Sequence, residues 1–325
     1  MLDVTALGEI LIDFTPAGRS AAGQWLFEEN PGGAPANVLA AVARLGKRGA
    51  FLGMAGQDSF GVYLREVLQQ QGIDVTGFKF SPTVHTTLAF VQLDASGDRQ
   101  FSFYRNPGAD LMFSAADIEY DLIRAAGIFH FGSISMTDEP ARSATLAAVK
   151  FAKAQGKLIS YDPNYRPLLW PNADAAVEAM KAGLVFADLV KVSDAELELL
   201  TGLADLDSAS AALSRFGPQL ILVTLGPGGC YYRAPFGTGR LPTYAVPVVD
   251  TTGAGDAFLG AVLYHLSGRT APDLERLDRG ELERIVDFAN AAGALTTTKK
   301  GAIPALPDLE QIRQCLAQTP KLAID

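Results

Sequence analysis

The segment Asp250-Thr251-Thr252-Gly253-Ala254-Gly255-Asp256 sets two glycines and a carboxylate at the start of a run of small and apolar residues with helical character. The first amides of a helix point outward without intrahelical partners, and glycine lets an anion approach them closely. Such a turn can cradle a phosphate. Asp256 falls in the first turn, where a carboxylate can take a proton from a hydroxyl while the amides hold developing negative charge. Taken alone, the same pattern reads equally well as a helix start that Asp256 merely caps.

Two further segments bear on that choice. Pro31-Gly32-Gly33-Ala34-Pro35-Ala36-Asn37 is a second glycine-rich turn into a helix, with Pro35 near the first helical position. Asn37 lies one turn in, where asparagine is a poor helix former, which suggests a binding role unless it is simply tolerated there. Glu9 and Asp13 share one face of an apolar run from Val4 to Ile12 that reads as the first strand. A carboxylate at that strand's end suits the vicinal hydroxyls of a polyol, although Asp13 also suits a turn before Pro16. No GxxxxGK[ST] is present, and Gly226-Pro227-Gly228-Gly229-Cys230-Tyr231 has Tyr where a dinucleotide fingerprint needs its last Gly. Phosphate is handled in some other way.

The elements that must position these residues follow an α/β rhythm. Apolar runs at Val4–Ile12, Ala50–Met54, Gly127–Phe131, Lys157–Tyr161, Leu184–Lys191 and Leu220–Thr224 alternate with helical patterns, as in a parallel sheet covered by helices. Residues 21–28, 86–94 and 100–105 carry strand alternation without crossover helices. The turn Ala95-Ser96-Gly97-Asp98 is expected to join two of these runs in a hairpin, so a small accessory sheet over the strand ends is expected. The last residues, 319–325, read as a frayed tail.

Composition narrows the partners. The 325 residues are 48% apolar and 19% charged, which excludes a largely disordered or fibrous chain. With 27 Lys+Arg against 36 Asp+Glu and no basic block, nucleic acid and anionic membranes have no electrostatic footprint. Cys230 and Cys315 are too few for a disulfide framework, and His85, His130 and His265 lack metal-ligand spacing. An acidic rather than basic start and the lack of a long apolar run point to a cytoplasmic protein.

In this order along the chain, these pieces resemble the PfkB/ribokinase family of sugar kinases, over nearly the whole length. Residues 250–263 fit the family's C-terminal signature at every position. Gly32-Gly33-Ala34-Pro35-Ala36-Asn37, with Gly46 and Gly56 at the expected intervals, fits the N-terminal one, Leu39 standing where a small residue is usual. Within the family, residues 8–14, 31–38, 103–110 and 162–166 are most similar to fructokinases.

The resemblance implies a single ribokinase-like α/β/α domain over residues 1–325, with a mostly parallel central sheet and a β lid drawn from about residues 14–30 and 84–106. It implies ATP at the sheet edge and a sugar beneath the lid, with Asp256 as base and Gly253, Ala254 and Gly255 as anion hole. Asp13, Gly32, Gly33 and Asn37 would hold sugar hydroxyls, with Tyr104, Arg105 and Arg166 at the mouth. Thr224, Gly226 and Gly229 would border the nucleotide, and Asn290 would lie near adenine. Ser193-Asp194-Ala195-Glu196 stands where the family has Asn-x-x-Glu, so Glu196 is expected to serve Mg2+ through water as well as capping its helix. A K+ ion is expected near Asp250 and Thr252 and residues 296–305, and a homodimer through the lid edges. The arginines also suit an acidic sugar, so 2-keto-3-deoxygluconate kinase is the alternative substrate reading; a non-catalytic sugar or nucleotide sensor on the same fold is the alternative class.

Overall fold

The computed structural model describes residues 2–93 and 99–324. Its strands are β1 (Leu2–Leu7), β2 (Leu11–Arg19), β3 (Trp25–Gly32), β4 (Gly49–Gly56), β5 (Phe78–Ser81), β6 (Leu88–Leu93), β7 (Arg99–Tyr104), β8 (Ala126–Gly132), β9 (Leu158–Asp162), β10 (Leu189–Ser193), β11 (Leu220–Thr224), β12 (Cys230–Ala234) and β13 (Gly237–Leu241). Nine of them form one sheet in the order β13-β12-β11-β10-β9-β8-β1-β4-β5, and β3-β2-β6-β7 form a second, smaller one. In the large sheet, neighbours from β5 to β11 run parallel, and β12 and β13 close the edge antiparallel.

A parallel sheet with helices on both faces buries both sets of its side chains, so its strands are apolar throughout. In β11, Leu220 and Leu222 enter the core under helices Ala34–Arg44, Ala254–Leu266 and Arg279–Thr296. Ile221 and Val223 enter the opposite core, under helices Ala141–Ala154, Ala173–Leu184, Asp194–Thr201 and Leu206–Ser214. The helix Ala254–Leu266 is buried almost along its whole length. Its small residues admit close neighbours: a Cβ on Gly260 would stand 2.5 Å from Ala41 Cβ. The glycine-rich turn is thereby fixed at the C-terminal edge of the sheet, where open α/β folds bind ligands.

The lid contains more strand than the alternation suggests. The apolar run from Val4 is two strands, because the chain leaves the large sheet at Gly8–Ile10 and re-enters structure as the lid strand β2. Glu9 Oε1 accepts a hydrogen bond from Ala34 N at 2.8 Å there, a tertiary contact that the uninterrupted apolar periodicity does not reveal. Asp13 therefore sits on the lid rather than at the end of the first central strand. Likewise the run Leu184–Lys191 is the last residue of one helix, a turn over residues 185–188 and the start of β10. The pairing of β6 with β7 is antiparallel, while the expected turn at residues 95–98 lies outside the described residues. The end of the chain is not frayed up to residue 322: Leu322 N donates to Thr243 O (2.8 Å) and Ala245 N to Pro320 O (2.9 Å).

Candidate active site

Two cavities flank the N-terminus of helix Ala254–Leu266. One, of about 500 Å³, lies beneath the lid; the other, of about 600 Å³, lies toward β11 and helix Arg279–Thr296. Thr251 and Gly255 line both. Gly253 caps the helix with φ 76° and no side-chain cap. A Cβ there would stand 2.7 Å from Ala302 Cβ, so both the left-handed backbone and the close approach require glycine. The first-turn amides are left to an incoming anion.

Asp256 is buried in the first turn and lines the cavity beneath the lid. Its Oδ2 accepts a hydrogen bond from Asn37 Nδ2 at 2.8 Å. Burial, reinforced by the nearby charge of Asp162, raises its pKa to about 6, against the lowering influence of Asn37, Lys191 and Arg166. Asp13 and Glu9 are each raised to about 7, in both cases chiefly by burial. Arg166 is the largest influence opposing this at Asp13; at Glu9 hydrogen bonds from its own backbone N–H and from that of Ala34 oppose it.

Among the described residues, this cavity is lined by three that carry a buried oxygen without a hydrogen-bond partner: Glu9 Oε2, Asn37 Oδ1 and Asn164 Oδ1. Buried acceptors cost free energy unless satisfied, and a ligand rich in hydroxyl donors would satisfy them. Asp13, Gly33 and Arg166 line the same space. Gly32 does not line it but backs Asp13, whose Oδ2 leaves no room for a Cβ. Alternation along the lid strands decides the rest: Leu11, Asp13 and Thr15 of β2, Val91 of β6 and Phe103 of β7 face the cavity.

Two residues expected at the mouth are elsewhere. Tyr104 is on the outer face of β7, opposite Phe103, and is 66% exposed against Phe90. Arg105 is buried and committed: Nε donates to Asp110 Oδ2 (2.8 Å), Nη1 to Thr137 Oγ1 (2.8 Å) and Nη2 to Ile134 O (3.0 Å). It braces the base of the lid instead of gripping a ligand. Of the two arginines, Arg166 alone lines the cavity.

Sequence reasoning missed Lys191. This side chain, 8% exposed, lines the cavity, is paired with Asp162 Oδ2 at 3.0 Å, and comes within 3.0 Å of where a Gly255 Cβ would be. Burial alone would pull its pKa down, but the carboxylates of Asp162, Glu196 and Asp256 outweigh this and hold it at about 12. A permanent cation thus stands beside the helix N-terminus. Its only sequence signal is a lysine in an otherwise apolar strand. Asn164 was also missed; its φ of 48° and its N–H bond to Asp162 Oδ1 (3.1 Å) mark the Asp-Pro-Asn turn as built around the site.

Glu196 lines the cavity within a complete capping box. Oε2 accepts from Ser193 N (2.7 Å) and Oε1 from Tyr165 N (2.6 Å), so both carboxylate oxygens are engaged by backbone donors. Asp250 links the loop before the helix to the one after helix Arg279–Thr296: Oδ1 accepts from Thr252 N (2.9 Å) and Oδ2 from Gly301 N (3.0 Å). The second cavity is lined by Thr224, Gly226, Gly229, Ala254, Asn290 and, from the chain's end, Leu322. Asn290 Nδ2 donates to Pro242 O at 3.1 Å and fixes that wall. Among the described residues, neither cavity is lined by a histidine or cysteine.

A sugar-sized cavity of mixed polarity and a largely apolar one, meeting at anion-binding amides beside a carboxylate, define a phosphotransferase site. Residues 1–309 match the family described as pfkB family carbohydrate kinase, and the chain belongs to it. It is 49% identical over 308 residues to "Fructokinase-1" of Oryza sativa subsp. japonica, covering 94% of each chain. The fold is similar to a fructokinase from Xylella fastidiosa with bound ATP, with TM-score 0.91, 37% identity and coverage of 97% and 98%. It is also similar to a double-mutant fructokinase from Vibrio cholerae bound to fructose, ADP and potassium, with TM-score 0.86, 33% identity and coverage of 97% and 98%.

Proposed function

We propose that this enzyme is a fructokinase, transferring the terminal phosphoryl group of ATP to a hydroxyl of fructose to give fructose 6-phosphate. The observation that carries the reading is the pair of cavities meeting at Gly253–Gly255 with Asp256 on the lid side. The three partnerless oxygens, with Asp13, match a polyhydroxylated substrate. Asn37 holds Asp256 Oδ2, which leaves Oδ1 to take the proton of the attacking hydroxyl. The amides of Gly253–Gly255 and the Lys191 ammonium stabilise the charge of the group in transit. Binding alone has no use for a base at that point, which argues against a sensor. The commitment of Arg105 to Asp110 removes one of the two cations that favoured an acidic sugar.

Glu196 would hold Mg2+ through water, and the ion would supply charge neutralisation to the nucleotide phosphates. The fit for K+ rests on donor chemistry: Asp250 and the carbonyl-bearing loops around residues 251–252 and 297–301 offer hard oxygens beside the anion hole. Activity should be higher in potassium than in sodium or a bulky organic cation; equal rates in all three would remove the site.

The deciding experiment is the initial rate with fructose, 2-keto-3-deoxygluconate, ribose and adenosine, each with ATP and Mg2+. Fructose should give the highest kcat/KM. Nucleotide and sugar binding without ATP consumption would overturn the kinase reading.

Because the Asp256, Asp13 and Glu9 carboxyls are raised to about 6, 7 and 7, kcat/KM should climb as pH rises from about 5 to 8. A profile flat across that range would contradict Asp256 as the base.

The lid's outer face also has a consequence. Phe14 and Phe90 stack at 4.9 Å, Phe27 and Tyr104 meet Phe90 edge-on, and Trp25 is 57% exposed. Apolar faces and free strand edges of this kind are usually covered, so the lid is assigned to a homodimer contact. Light scattering at micromolar concentration should give twice the chain mass, and a monomer would refute the contact.

A further inference from the structure

The last residues of the chain have no part in the reaction described so far. After helix Leu309–Gln318, residues 320–322 run antiparallel to residues 243–245 through the two backbone bonds already noted. Lys321 fastens this segment: its Nζ lies 2.8 Å from Asp287 Oδ1, which also accepts Tyr244 OH at 2.9 Å, and it stands over the Tyr244 ring at 5.6 Å. Leu322, half-buried, enters the wall of the second cavity with Phe258 and Asn290. The family match ends at residue 309, so Lys321 and Leu322 lie outside the matched residues.

We propose that residues 320–322 form a strap across the base end of the nucleotide cavity, in which Leu322 packs on the flat face of a purine and Lys321 holds the strap down. This rests on the assignment of that cavity to ATP. An aliphatic contact makes no hydrogen bond to a base edge, so the strap strengthens ADP and ATP alike and is indifferent to the phosphate chain. It therefore sets nucleotide affinity and ADP release, leaving the sugar side untouched.

The test is calorimetric binding of ADP and of inorganic tripolyphosphate, with steady-state kinetics in fructose. Leu322→Ala removes apolar area from the wall and should weaken ADP on the order of tenfold, with tripolyphosphate and the fructose KM unchanged. A chain ending at Thr319 should lose at least as much, and Lys321→Ala about twofold to threefold, as expected for an exposed ion pair. Equal melting temperatures of wild type and Leu322→Ala without nucleotide establish that the fold is intact. ADP binding within twofold of wild type in both Leu322→Ala and the shortened chain overturns the strap while leaving the kinase reading in place. So does a parallel loss of tripolyphosphate binding, which would indicate general disruption. Wild-type protein that binds tripolyphosphate but gains nothing from the adenosine moiety of ADP overturns the nucleotide assignment itself, and the strap with it.

Discussion

Asp256→Asn should lower turnover by a factor on the order of 10²–10⁴, the usual contribution of a positioned general base, while fructose affinity changes much less. Asparagine can still accept the hydrogen bond from Asn37 Nδ2 that Asp256 Oδ2 accepts now, so the site keeps its shape. The same substitution should raise thermal stability at neutral pH. The folded-state pKa, about 6, lies above the ordinary value of 3.8. Between those values the folded chain binds the extra proton, so stability falls as pH rises through the interval and the penalty is fully present above about 6. A neutral amide carries no such penalty. Turnover and melting curves at pH 7 and pH 4 test both halves, and the gain in stability should shrink at the lower pH. Near wild-type turnover would remove Asp256 as the base. Asp13→Asn provides the contrast: one acceptor for the hydroxyl pair becomes a donor, so sugar affinity should fall before turnover does.

Lys191→Met should cost about 10²–10³ in turnover, the scale for losing one preorganised electrostatic contact to a developing charge. The methionine retains an apolar stem without the ammonium. It also leaves Asp162, whose side chain is 1% exposed, as a buried charge without its cation, so destabilisation of about 3–5 kcal/mol is expected. The double variant Asp162→Asn/Lys191→Met separates the two effects. With Asp162 no longer a buried charge, it should recover most of the stability but not turnover. A double variant with restored turnover would reduce Lys191 to a structural partner of Asp162.

What was legible in the sequence follows from how local each signal is. The glycine-rich turn at Gly253–Gly255, the lone Asn37 in a helix and the α/β rhythm are written within a few residues, and they point to the site directly. The break at Gly8–Ile10 is not, because its cause is the bond from Ala34 N to the Glu9 side chain, 25 residues away. Arg105 has the look of a ligand-gripping residue until Asp110, Thr137 and Ile134 converge on it. Tyr104 and Phe103 differ by one position, so a half-period of strand register decides which of them sees the cavity. Lys191 stands unremarked in an apolar strand until β9 and β10 bring Asp162 beside it.

The bond between Asn37 and Asp256 joins residues 219 positions apart. Between them lie lid strands β6 and β7 and every strand of the central sheet except β1, and the elements that press helix Ala254–Leu266 into place come partly from later still. Pairings of such sequence separation form late and slowly, since their loop-closure entropy must be met before they contribute. A chain emerging from its N-terminus can therefore fold its first strands, and even enclose much of the sugar cavity, long before the carboxylate that does the chemistry is anchored. Appearance of phosphotransfer is a report on completed topology, and an unfinished chain holding a sugar has no means of acting on it.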